Sequence, residues 1–252
     1  MNQIELKEFL DYKANQYEII DFITSDPIQI PHRFKQKEDV EIAAFLTASI
    51  AWGNRLSILK SANKMMALMD NAPYDFIINH KKRDLSIFEG FVHRTFNATD
   101  LTFFVRSLQN IYKNHQGLEN VFSSNNPSLQ DTIHDFKSIF FEIDHPQRTL
   151  KHVSDPLKGS AAKRLNMFMR WMVRSNTKGV DFGIWKQHSP AQLSIPLDVH
   201  TGNIARKLNL IRRKQNDSKT LWELDKKLRK FDPVDPVKYD YALFGLGVFE
   251  KF

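Results

Sequence analysis

Cysteine is absent from the 252-residue sequence, which excludes disulfides, thiolate metal sites, iron–sulfur clusters and thiol nucleophiles. No apolar run approaches the roughly 18 residues of a membrane-spanning helix. The start Met-Asn-Gln-Ile-Glu-Leu-Lys lacks the basic, apolar and small-residue order of a secretory signal. A cytoplasmic chain with no membrane partner is expected. Histidine pairs at helical spacing and carboxylate clusters with metal-ligand spacing are missing, so neither a metal nor another cofactor is expected. A series of alternating apolar and polar segments with hairpin signals is missing too, which points away from a β architecture.

Hydrophobic residues make up 42% of the chain and 20 positions are Phe, enough to close a packed core. Charge is divided unevenly. Residues 1–145 hold 15 Lys/Arg against 19 Asp/Glu, whereas residues 146–252 hold 21 against 10. The basic second half suits a surface that meets phosphates, and equally a solvated lysine-rich one.

Apolar periodicity predicts an all-α fold with helices over residues 3–16, 39–51, 55–69, 73–80, 100–113, 118–123, 128–141, 161–175, 199–210, 218–230 and 236–247. Asp39, Asp100, Ser128 and Asp198 are expected N-caps, and Pro73 and Pro236 suit first turns. Residues 42–51 are apolar nearly all round and predict a central buried helix. Residues 80–97, 123–126, 144–159 and 177–194 read as less ordered.

Two segments carry chemistry. In Gly159-Ser160-Ala161-Ala162-Lys163-Arg164-Leu165, Lys163 falls at a helix start, where the dipole disfavours its charged form and favours a nucleophilic amine. Gly159 and Ser160 are expected to offer backbone N–H groups to a phosphate. Arg170 and Arg174 return to the Lys163 stripe at helical spacing, so three cations line up. In Ile195-Pro196-Leu197-Asp198-Val199-His200, Asp198 either caps a helix or faces a cleft, where it would stabilise a cationic sugar. His200 follows as a phosphate donor or a surface histidine. Trp52-Gly53-Asn54-Arg55 combines a ring, a turn, an amide and a cation suited to an extruded base, or else marks a helix break. Asp240 reads a base edge or pairs locally.

These segments, in this order, resemble the helix-hairpin-helix DNA glycosylase superfamily, which includes endonuclease III and the 8-oxoguanine glycosylases. Residues 157–165 are similar to the hairpin Leu-Pro-Gly-Val-Gly-x-Lys-Thr-Ala, and residues 195–200 to Val-Pro-Val-Asp-Val-His. The resemblance implies that Lys163 and Asp198 are catalytic and that Trp52, Asn54, Arg55 and Asp240 bind the substrate. It further implies that the hairpin with Gly159 and Ser160, and His200, contact DNA phosphates, and the neighbouring cations Arg164, Arg170 and Arg174 are expected to do the same. Residues 42–51 are similar to the early helix that ends near the residues entering the duplex. Ala161 replaces the usual second glycine and Lys158 the usual proline, and Lys163 and Asp198 stand 35 residues apart, longer than the common spacing. The extra residues, with Asp181, Trp185 and His188, are expected to form a loop over the cleft.

The implied architecture is two helical lobes with a cleft between them, one from residues 36–162 and one from residues 1–35 plus 163–252. The implied function is a monomeric base-excision glycosylase acting on double-stranded DNA with a damaged or abasic nucleotide, with AP lyase activity through a Lys163 Schiff base. A non-catalytic nucleic-acid-binding protein on the same fold, or a helical scaffold for a protein partner, are the alternatives. Over nearly its full length the chain also resembles an uncharacterised bacterial family, through residues 30–34, 51–55, 163–167 and 235–240. That likeness implies no activity.

Overall fold

The computed structural model describes residues 1–123 and 128–252. Its α-helices are α1 (Gln3–Tyr17), α2 (Asp21–Ser25), α3 (Lys37–Ser49), α4 (Arg55–Leu68), α5 (Pro73–Asn79), α6 (Ala98–Asn114) and α7 (Leu118–Phe122). They continue with α8 (Leu129–Phe140), α9 (Lys163–Val173), α10 (Val199–Lys207), α11 (Ser218–Phe231) and α12 (Tyr239–Val248). Short 3-10 turns fill many of the gaps. The described residues hold a single two-stranded ribbon, β1 (Val92–His93) against β2 (Phe96–Asn97), with His93 opposite Phe96. The chain is mostly helical. Among the described residues no helix is long and apolar enough to cross a membrane.

Cap chemistry sets several boundaries. Asn97 starts α6 by accepting from the amides of Thr99 and Asp100, while the Asp100 side chain accepts from the Asn97 amide in return. This reciprocal pairing corrects the expectation that Asp100 is itself the cap. Asp39 is corrected likewise, because α3 begins at Lys37 and the Asp39 carboxylate accepts from the Tyr74 amide at the start of α5. Pro236 opens a 3-10 turn ahead of α12 instead of the helix itself. Ser128 does hold the start of α8, accepting from the Gln130 amide at 3.1 Å. Of the expected break at residues 123–126, all but Ser123 lies outside the described residues.

The chain divides into two compact units, Met1–Thr24 with Ser128–Gln130 and Asp155–Phe252, and Ser25–Pro127 with Asp131–Ser154. In the second, all of α3 from Val40 to Ser49 is buried. Phe45 packs against Phe104, Phe136 and Phe140, so one ring ties three helices together. In the first, Leu6, Leu10 and Ala14 of α1 join Ile204, Leu224, Leu243 and Leu246 in one apolar core. Gly245 lets α1 and α12 approach closely, since a Cβ there would overlap the Tyr17 ring. This core packs α1, α10, α11 and α12 together.

Candidate functional site

The turn before α9 determines how Lys163 is presented. Asp155 caps a 3-10 turn through the Leu157 amide at 3.1 Å, and Gly159 leaves it at φ +90°. Ala162 then adopts φ +44°, and the α-helix starts at the next residue, Lys163. A non-glycine residue in the left-handed region is uncommon, and this one turns the chain sharply into α9. The Gly159 amide donates to the Pro156 carbonyl at 2.9 Å and the Ser160 amide to that of Asp155 at 3.3 Å. Both donors are therefore committed within the turn, which corrects the expectation that they stand open to a phosphate. The Gly159 carbonyl and Ser160 instead pair with Ser218 and Asp217, fastening the turn to the start of α11.

Lys163 is half-buried. Among the described residues its ammonium has no hydrogen bond or ion pair. Arg164 beside it is half-buried, and burial pushes its guanidinium down to about 10. Arg170 and Arg174 are each only 4% exposed, and Arg174 stands just past the last turn of α9. Arg170 pairs with Asp240 and lies 3.4 Å from Asp181. Arg174 reaches Glu18 and Asp181 at 2.6 Å and Asp235 at 2.8 Å. Both guanidiniums also lie over the Tyr241 ring. The expected phosphate contacts from these two arginines are corrected: interior carboxylates already match their charge, as buried cations require.

Asp198 caps α10, with one carboxylate oxygen accepting from the Thr201 amide at 2.9 Å. The Asn216 side chain donates to its carbonyl at 2.7 Å and so fixes the backbone there. Its second carboxylate oxygen makes no hydrogen bond among the described residues. Asp240, at the start of α12, is 5% exposed. Burial pushes its carboxyl up to about 6; the charge of Asp198 adds to the rise, whereas Arg170 and Lys163 oppose it. The charges of Lys163, at the start of α9, and of Asp198, the cap of α10, therefore both bear on Asp240 of α12. Its hydrogen-bond partner is Arg170 of α9, 70 residues away in sequence and not the local partner expected.

The other expected residues have local surroundings of their own. His200 is exposed in the first turn of α10, with its ring edge toward Phe244. In the second unit Trp52 is half-buried, edge-on to His93 and stacked on His152. Asn54 caps α4 through the Ser57 amide, and Arg55 opens that helix. The residues after α9 do not form a free loop. The Phe182 and Trp185 amides donate to the Trp171 and Met172 carbonyls, Trp185 is buried against Phe168, and Asp181 is part of the arginine network. Sequence reading missed the carboxylates Glu18 and Asp235 in that network. Both stand far from the arginines in sequence, and no local pattern marked them.

A family model described as a protein of unknown function, DUF2400, matches residues 26–249. The chain belongs to that family. The match covers the lysine turn, the Asp198 cap and the Asp240 helix alike, so the whole constellation falls within the DUF2400 region. No curated protein matches the chain, and no solved structure does either.

Proposed function

We propose that this DUF2400 protein is a DNA base-excision glycosylase with AP lyase activity, using Lys163 as the nucleophile and Asp198 as the electrostatic partner. What supports the reading is that the charges of Lys163 and of Asp198, far apart in sequence, both act on the buried Asp240 carboxyl. An amine without an ion pair and a carboxylate with one uncommitted oxygen are the two groups that attack on a sugar carbon needs.

In the proposed reaction the neutral Lys163 amine attacks the anomeric carbon of an extruded nucleotide. The bond to the base breaks, and its electron pair leaves with the base, which takes up a proton. Asp198 stabilises the positive charge that develops on the sugar and accepts the proton lost by the amine. Ring opening leaves a Schiff base between Lys163 and the sugar, and β-elimination then cuts the 3′ phosphate ester. Extruding the nucleotide costs a few kcal/mol, least where it is poorly paired or already abasic.

Borohydride reduction in the presence of a duplex with one abasic site should trap a covalent protein–DNA species. The Lys163→Gln variant should lose that species, and Asp198→Asn should slow its formation by about 100-fold or more, in keeping with loss of transition-state charge stabilisation. Wild-type protein that gives no crosslink across abasic, uracil and oxidised-base duplexes would overturn the reading. The second reading is nucleic-acid binding without chemistry, favoured by the use of one Asp198 oxygen as a helix cap. It expects salt-sensitive binding of equal strength to intact and abasic duplexes, unaltered in character by Lys163→Gln.

A further inference from the structure

Helix α11 turns an apolar face inward through Leu221, Leu224 and Leu228. On its opposite face Trp222 is 66% exposed. The indole lines a depression of about 490 Å³ with Arg213, Ser218, Lys219 and Glu223. Lys219, Lys226 and Lys230 are exposed on the same stripe, following the i, i+3, i+4 spacing around Trp222. The Lys226 ammonium lies 4.9 Å from the centre of the indole ring. None of these three lysines makes an ion pair among the described residues. The nearby acids are engaged locally: Asp217 caps the helix and pairs with Arg213, and Glu223 accepts from the Arg212 amide.

A lone surface aromatic needs no explanation. An indole lining a depression, along a row of unmatched cations, is a more specific arrangement. The cations call for a polyanion, and the exposed ring calls for a flat apolar partner on that polyanion. An unpaired polynucleotide supplies both, with phosphates at regular intervals and a base free to stack. An acidic peptide supplies only the charge, and in an intact duplex the base faces are already stacked.

We infer that this face of α11 is a binding site for unpaired nucleic acid, with one base stacked on Trp222 and the adjoining phosphates met by Lys219, Lys226 and Lys230. The site begins where Ser218 bonds to Gly159, so it adjoins the lysine turn while requiring no reaction at Lys163. A strand with an unpaired stretch would be held here whether or not a base is excised.

The test uses a fluorescein-labelled 20-mer of deoxythymidine, the same 20-mer annealed to its complement, and poly-glutamate as a competitor. Trp222→Ala should weaken the single strand by about tenfold or more, the loss expected for one base stack, while leaving the duplex unchanged. Replacing all three lysines by glutamine should flatten the salt dependence of single-strand binding, because fewer counterions are released. Equal single-strand affinity for Trp222→Ala and wild type would overturn the inference, as would displacement by poly-glutamate as effective as by unlabelled single strand. Borohydride trapping by Trp222→Ala on the abasic duplex should proceed as in wild type, which keeps failure of this site distinct from failure of the Lys163 chemistry.

Discussion

Replacing Arg174 by methionine removes a charge that Glu18, Asp181 and Asp235 share, leaving Glu18 with Lys178 at 3.3 Å and Asp181 with Arg170 at 3.4 Å. Breaking a buried pair by deleting one partner costs about 3–5 kcal/mol, mostly because the remaining charge stays buried without compensation. Arg174→Met is therefore expected to lower the urea unfolding midpoint strongly. Lys163→Gln, at a half-buried residue with no ion pair among the described residues, should shift it by less than about 1 kcal/mol, as substitutions away from networks do. Midpoints that move equally would mean that water or protonation already relieves the three carboxylates. The common stripe of Lys163, Arg170 and Arg174 was legible in the sequence, because helical spacing fixes direction around an axis. Their burial was not legible, because it depends on acids at positions 18, 181, 235 and 240, supplied by other segments.

At the scale of elements, the turn from Asp155 to Ala162 has its shape fixed by backbone conformation more than by packing. Gly159 sits at φ +90° with no atom within 4 Å of where a Cβ would be. An alanine there meets no clash, so its cost is conformational alone, about 1–2 kcal/mol for an L-residue forced into the left-handed region. Gly159→Ala should lower stability by that amount, and asparagine, which tolerates the region better, by less. Equal midpoints for glycine and alanine in urea melts would mean that the turn relaxes out of this conformation, freeing its amides. The helices themselves were largely readable, since each carries an apolar stripe at the helical period. Their starts were less so. Asp39 and Asp100 each stand three residues past the cap, a position that acids favour as often as the cap itself. The two-residue strands around Arg94 and the 3-10 turns are too short to impose a period on the sequence.

For the whole molecule, burial acts on titratable groups with opposite signs according to whether the charged form is an anion or a cation. In the unit holding α9 to α12, desolvation pushes the Asp225 and Asp240 carboxyls up to about 6. In the unit holding α3 to α6, desolvation lowers His80 and His93 below their ordinary value. A raised carboxyl keeps its proton in the folded state while the unfolded chain releases it near pH 3.9, so its stabilisation is complete below that value and is lost as pH rises to about 6. A lowered histidine does the reverse, contributing above pH 6.5 and losing that contribution as pH falls. Acidification from pH 7 thus favours the first group and penalises the second. Asp225, which Arg229 approaches at 3.6 Å, offers a direct test, because its interior bond from the Ile195 amide needs only an oxygen acceptor. Asp225→Asn keeps that acceptor and removes the titration. Against wild type it should become relatively more stable by on the order of 2 kcal/mol as the pH of paired urea melts rises from 4 to 7, the linkage value of a shift of about two units. A stability difference that stays constant over that range would mean that Asp225 ionises in the folded protein as it does in the unfolded chain, with water reaching it between α11 and the residue 195 segment.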